Sequence, residues 1–194
     1  MTELQETPSL VIVSGLSGAG KSIAINALED MSYYCIDNLP LDLVENAVSY
    51  FLTSKMDTKK IALGMDVRSS DFVDRFLALK DRLQKKINVS VLFLQATDEA
   101  LATRYNTSRR RHPLHDECGE LVAAIRREAQ ALAPMIDKSE IVFDTTSWTP
   151  HYLARQVEQY FGGGIKGRSL FVTVTSFGFK HGVLKPVHRF ELNS

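Results

Sequence analysis

Cysteine is nearly absent from this chain of 194 residues: Cys35 and Cys118 stand alone, far apart and without a C-x-x-C pair. That excludes a disulfide framework and a cysteine-ligated zinc site. Net charge is absent as well, since 23 Lys and Arg balance 23 Asp and Glu. No global field drives the chain onto nucleic acid or an anionic membrane, and any such contact must come from a local patch. Long apolar runs are missing: none approaches the roughly 18 residues of a membrane span. The opening MTELQETPSL lacks the basic-then-apolar order of a secretory signal. The histidines, His112 and His115 among them, show no metal-ligand spacing, so a His/Cys metal centre is not expected. With 44% hydrophobic residues, the expectation is a soluble protein of a reduced, cytoplasmic compartment with one substantial core.

What is present is alternation between short apolar runs and amphipathic stretches, a βαβα pattern without internal repeats. Strands are expected at Leu10 to Ser14, Tyr33 to Ile36, Ile61 to Val67, Val89 to Gln95 and Ile141 to Asp144. Helices are expected at Lys21 to Met31, Leu41 to Ser54, Asp71 to Lys86, Asp98 to Ser108, Glu120 to Met135 and Pro150 to Phe161. Together they predict an α/β three-layer sandwich with a mainly parallel sheet covered on both faces. Thr149-Pro150 reads as a cap and first turn, and Gly162-Gly163-Gly164 as the stop. A main domain is therefore expected over residues 1–164. Ser169 to Phe177 alternates like a strand, but too little chain follows for an independent core. Residues 165–194 are read as the start of a C-terminal domain cut short, with docking of that strand on the main sheet as the alternative.

The most specific signal is Gly15-Leu16-Ser17-Gly18-Ala19-Gly20-Lys21-Ser22, a full match to G-x-x-x-x-G-K-[ST] between an expected strand and an expected helix. That context disfavours a glycine-rich turn that binds nothing. The glycines allow a tight turn in which N–H groups from about Gly18 to Ser22 face phosphate oxygens, at the positive end of the next helix. Lys21 is expected to neutralise the β- and γ-phosphates, and the Ser22 hydroxyl to ligate Mg²⁺. A dinucleotide fingerprint is excluded, because G-x-G-x-x-G opened at Gly18 meets Ile23 at its last position.

Such a loop needs an acidic partner at a strand's carboxyl end. Asp66, closing the run from Ile61, is the leading candidate for Mg²⁺ or for an attacking water, and Asp37 is the second; the competing reading for each is a polar strand terminus. Arg104 and Arg109-Arg110-Arg111, with His112 and His115, form the densest positive patch. They read either as phosphate or lid contacts or as a solvated helix end. Phe177, Phe179 and Lys180 suit a nucleic-acid strand, although core packing also explains the phenylalanines. Cys35 lies in an apolar run and reads as a small core residue.

Taken with the loop, the segments CIDNLP (35–40), DVRS (66–69), RRRHPL (109–114), FDTT (143–146) and VTSFGFKHG (174–182) give a chain that resembles the RapZ family of nucleotide-binding proteins, also called RNase adapter proteins. The resemblance runs in order from about Leu10 to Gly182. It implies a P-loop domain with ATPase and GTPase activity, with ATP on Gly15 to Ser22 and a guanine-nucleotide site on Asp66, Val67, Arg68 and Ser69. It also implies binding of small regulatory RNAs, their presentation to an endoribonuclease, and homo-oligomers; family members assign much of this to a full C-terminal domain.

Three functions follow. The first is a slow regulatory NTPase in which Lys21, Asp66 and Arg68, or an arginine from Arg109 to Arg111, serve the chemistry with Mg²⁺ and ATP or GTP. The second is a small-molecule or nucleotide kinase with the arginines as a lid. The third is an adapter in which nucleotide only sets conformation. Adenine and guanine are not distinguished, since no N-K-x-D element is present.

Overall fold

A computed structural model describes residues 8–54, 59–66, 72–108 and 111–162. All belong to the first of two units, Met1–Gly163. β1 (Ser9–Gly15), β2 (Tyr34–Asp37), β3 (Lys60–Gly64), β4 (Asn88–Gln95) and β5 (Ile141–Asp144) form one parallel sheet in the order β2-β3-β1-β4-β5. β1 lies at its centre with Leu10, Ile12 and Val13 fully buried. A strand buried on both faces reads as an unbroken apolar run, which is why this segment does not alternate.

α1 (Lys21–Asp30) connects β1 to β2, whereas α2 (Leu41–Thr53), α3 (Phe72–Leu83) and the later crossover step the opposite way across the sheet. Right-handed crossovers then place α1 on one face and the others on the other. The packing agrees: α1 meets α7 (Pro150–Phe161), and α3 meets both α2 and α6 (Leu121–Ile136). The chain following β1 thus departs to one face, while its neighbours β3 and β4 send their helices to the other. A crevice opens at the carboxyl end of β1, where open α/β sheets bind ligands.

Local signals explain the boundaries. Thr97 Oγ1 accepts from Ala100 N at the start of α4 (Asp98–Thr107), and Thr149 Oγ1 accepts from Tyr152 N ahead of Pro150. Before β5 begins, Glu140 accepts the Val91 N–H at 2.8 Å and pairs with the buried Lys80 at 2.7 Å. A side chain thereby continues the β4 ladder where the β5 backbone has not yet arrived.

The five strands and six helices expected between Leu10 and Phe161 are present, with shifts that have physical causes. β3 stops at Gly64 rather than reaching Val67, because Asp37 closes over it: a Cβ on Gly64 would lie 2.2 Å from Asp37 Oδ1. Asn38 N–H then takes the Gly64 carbonyl at 3.0 Å. α3 ends at Leu83 instead of Lys86, since the Lys86 and Ile87 amides both turn back to the Leu83 carbonyl and bury Ile87. α5 (His115–Cys118) was not expected; four residues are too few to show a period. The expected strand at 169–177 and the C-terminal segment 165–194 lie outside the described residues. Among the described residues no helix is long and apolar enough to cross a membrane.

Candidate phosphate-binding site

The loop from Gly15 to Gly20 turns the chain from β1 into α1. Gly15 has φ 138°, and a Cβ there would fall 2.1 Å from the Leu94 carbonyl oxygen, so only glycine fits between β1 and β4. Gly20, at φ 110°, likewise faces the Leu153 side chain at 2.5 Å from a built Cβ. Among the described residues, the N–H groups of Gly18, Gly20, Lys21 and Ser22 donate to no protein acceptor. Ala19 differs from the expected nest: its N–H turns to Leu16 O at 3.0 Å, closing the loop's first turn. α1 has no side-chain cap at Gly20 and no acidic residue in its first turn. Its positive end is left for an anion.

Lys21 Nζ bridges three oxygens at the mouth of the loop: Gly15 O at 2.8 Å, Leu16 O at 3.3 Å and Asp66 Oδ1 at 3.1 Å. Asp66 stands two residues past β3, just beyond Met65, whose N–H bonds to Val13 O at 2.9 Å and ties that exit to β1. The structure therefore brings together Lys21 and Asp66, which are 45 positions apart in sequence but adjacent at the sheet's carboxyl edge. Ser22 is exposed on the first turn of α1. Ser22 and Asp66 supply hard oxygen donors, and no group of three or more His, Cys, Asp or Glu poised for a metal occurs among the described residues. That donor set fits Mg²⁺, which keeps waters and takes its remaining ligands from substrate phosphates.

Asp37 is otherwise engaged: its Oδ1 accepts the Asn38 N–H at 2.9 Å while shielding Gly64. Between Asn38 and Arg75 an open cavity of about 210 Å³ adjoins Asp66, lined also by Leu39, Leu41 and Phe72. Val67, Arg68, Ser69, Arg109 and Arg110 lie outside the described residues. Arg111 is strongly exposed, 4.0 Å from Asp116.

On the other side of the loop, Arg104 of α4 donates to Gly18 O at 3.0 Å and to Thr145 Oγ1 at 3.1 Å, and its second amino group binds Thr145 O. Thr145, buried just after β5, passes its hydroxyl proton to Ala19 O at 2.9 Å or Gln95 O at 3.1 Å. The loop is thus tied to two neighbouring strands.

A buried contact was missed from sequence. Glu128 of α6 accepts both the N–H and the Oγ–H of Ser17, at 2.8 and 2.7 Å, and His112 Nε2 lies 3.2 Å from the same carboxylate. Leu114 N–H donates to His112 Nδ1 at 3.1 Å, so Nδ1 is the unprotonated nitrogen and Nε2 carries the proton that Glu128 receives. The available signal was periodicity: Glu128 occupies the buried stripe of α6 with Ala124, Ile125, Leu132 and Met135. A charged residue inside an apolar stripe needs partners.

Cys35 packs with Sγ 3.5 Å from Ile25 O. Burial, with a smaller contribution from Glu29, raises its thiol to about 11. It is an inert packing residue, in keeping with its place in an apolar run.

Comparison with known proteins agrees with this architecture. The RapZ-like N-terminal domain family matches residues 9–165. A nucleotide-binding protein of Thermotoga neapolitana is 40% identical over 176 residues, covering 90% of this chain and 60% of that protein. One from Anaeromyxobacter sp. strain K is 41% identical over 182 residues, covering 93% and 61% respectively. The chain thus spans about three fifths of the length of these curated relatives. Shikimate kinase from Acinetobacter baumannii, solved with shikimate, shares the fold with a TM-score of 0.54 at 14% identity, covering 84% of this chain and 97% of that one.

Proposed function

We propose that this chain, which belongs to the RapZ-like N-terminal domain family, binds Mg²⁺ with ATP or GTP and hydrolyses the triphosphate slowly. The observation that carries this reading is the row of Gly18, Gly20, Lys21 and Ser22 amides at an uncapped helix end, with Lys21 and Asp66 converging on its mouth. Lys21 would leave the Gly15 and Leu16 carbonyls for the β- and γ-phosphate oxygens, which offer full negative charge in place of two dipoles. Ser22 and Asp66 would hold Mg²⁺, which supplies charge neutralisation across the phosphates. Water attacks the γ-phosphorus, the bond to the β–γ bridging oxygen breaks, and inorganic phosphate and the diphosphate leave. Arg68, or an arginine from Arg109 to Arg111, is proposed to stabilise the transferring group.

A second reading, phosphoryl transfer to a small acceptor, is favoured by the cavity beside Asp66, which offers room for one. The two are separated by measuring phosphate release from ATP and GTP with and without candidate acceptors, using Lys21→Ala as control. Acceptor-independent release supports hydrolysis, strict acceptor dependence supports the kinase, and binding with no release would leave an adapter.

The regulatory setting is proposed from family resemblance: a cytoplasmic, homo-oligomeric protein that binds small RNA and works with an endoribonuclease. Filter binding over a salt series, on the full chain and on Lys180→Ala, tests it. RNA retention with a steep salt slope that flattens by about one in the variant supports it.

A further inference from the structure

We propose that Glu128, buried in α6 and oriented by His112, is a positioning residue for phosphoryl transfer: through Ser17 it holds the half of the phosphate loop that governs the reacting phosphate. The proposal rests on the reading that the Gly15 to Ser22 loop binds a triphosphate and that the chain hydrolyses it.

The two halves of the loop are shaped by different means. The amides of Lys21 and Ser22 belong to the first turn of α1, which is set by its own bonds: Ile23 N–H and Ala24 N–H both donate to Gly20 O, at 3.0 and 3.1 Å. A helix end of this kind holds a phosphate without outside help. The half from Gly15 to Gly18 has no helix to shape it and is held by neighbouring elements. Leu16 N–H donates to Leu94 O at 2.9 Å, Arg104 donates to Gly18 O, and Glu128 receives both donors of Ser17.

Ser17 is the pivot of that half. The Gly15 and Leu16 carbonyls, on which the Lys21 ammonium rests, come just before it, and the Gly18 amide comes just after. A rotation at Ser17 therefore moves the seat of the ammonium and the aim of the Gly18 N–H together, while the helix-end amides stay in place. The ammonium serves the terminal phosphates, and a fixed charge stabilises a transferring group only when it is aimed at it.

His112 braces this half from two sides. With Nδ1 taken by the Leu114 N–H, it can donate only through Nε2, toward Glu128. Its ring also packs on Tyr105, with centroids 5.2 Å apart, and Tyr105 in turn backs Gly18, where a Cβ would come within 3.2 Å of the ring. An aliphatic side chain would fill the buried stripe of α6 at a lower desolvation cost. What the carboxylate adds is a fixed direction for Ser17.

The test compares the native full chain with Glu128→Ala, Glu128→Gln, Ser17→Ala and the Glu128→Ala/Ser17→Ala pair. It reads phosphate release from Mg²⁺-ATP and calorimetric binding of Mg²⁺-ADP, which lacks the transferring phosphate, with far-UV spectra taken at the assay temperature. Glu128→Ala is expected to lower kcat by about thirtyfold or more, since a misplacement of about 1 Å can cost about a hundredfold. The Kd for ADP should stay within about threefold, with the number of sites per chain unchanged; a purely structural loss would lower that number in step with turnover. Glu128→Gln should restore kcat to within about fivefold of native, because its oxygen can accept from Ser17 N–H and His112 while its amide donates to the Ser17 hydroxyl. In the pair, loss of the Ser17 hydroxyl should add less than about twofold to the effect of Glu128→Ala, as for two residues acting through one contact. Native turnover in Glu128→Ala, ADP binding that falls as far as kcat, or Glu128→Gln as inactive as Glu128→Ala overturns the proposal. If Glu128→Ala does not fold, Ser17→Ala decides: a fall in kcat of about threefold or more at unchanged ADP affinity supports the proposal, and native turnover overturns it. A native chain that binds ADP but releases no phosphate from ATP overturns the hydrolysis reading itself, and this one with it.

Discussion

Glu128 and Ser17 lie 111 residues apart, yet the Glu128 carboxylate receives both the backbone N–H and the hydroxyl of Ser17 in the buried wall of the phosphate loop. Both residues are more than nine-tenths buried, so water cannot replace either bond. The loop's shape therefore depends on a helix that comes late in the chain.

Removing that carboxylate strands two donors of Ser17 and the Nε2 proton of His112. Glu128→Ala is expected to lower unfolding free energy by about 2–4 kcal/mol, since each unsatisfied buried group costs roughly 1–3 kcal/mol. Urea unfolding measures it, and a loss below about 0.5 kcal/mol would contradict the geometry.

Lys21→Ala separates binding from folding. The Lys21–Asp66 pair is partly open to solvent, and such pairs contribute only about 0–1 kcal/mol to stability. Melting should barely change, while phosphate release from ATP and GTP should fall at least a hundredfold, as expected for an electrostatic contact to a transferring phosphoryl group. Equal rates for the native and variant chains would remove Lys21 from the proposed chemistry.

Gly15→Ala tests the approach of β4 to the loop. The added methyl meets the Leu94 backbone, which cannot swing aside, and φ 138° strains any L-residue. Overpacking costs about 1–3 kcal/mol and the backbone strain about 1 kcal/mol more. A variant that melts within two degrees of the native protein would show that the strands can part without penalty.

The Cys35 thiol, raised to about 11 by burial and then by Glu29, is protonated throughout the neutral range. Only the thiolate alkylates, so the rate of iodoacetamide labelling at Cys35, read by peptide mass spectrometry, should climb about tenfold per pH unit from pH 7 to 10. A plateau near pH 9 would mean an ordinary, solvated thiol.

Local physics made much of this legible in the sequence. The unbroken apolar runs of β1 and β4 need burial on both sides, and Thr149-Pro150 caps α7 through atoms of its own turn. The fixed spacing from Gly15 to Ser22 specifies the glycines and the turn into α1, while distant residues brace the loop's wall. The end of β3 was misplaced because it depends on Asp37 from another strand, and α5 was missed because four residues show no period.

The sequence by itself determined the layered α/β architecture, the phosphate loop and the acidic residue that closes the run after Ile61, because each rests on periodicity or on spacing within one stretch of chain. Tertiary structure alone decided that Lys21 meets Asp66, that Arg104 and Thr145 brace the loop, and that Glu128 and His112 close its buried side. Those contacts join residues from 16 to 126 positions apart. Their partners are chosen by sheet order and helix packing, which no local pattern encodes.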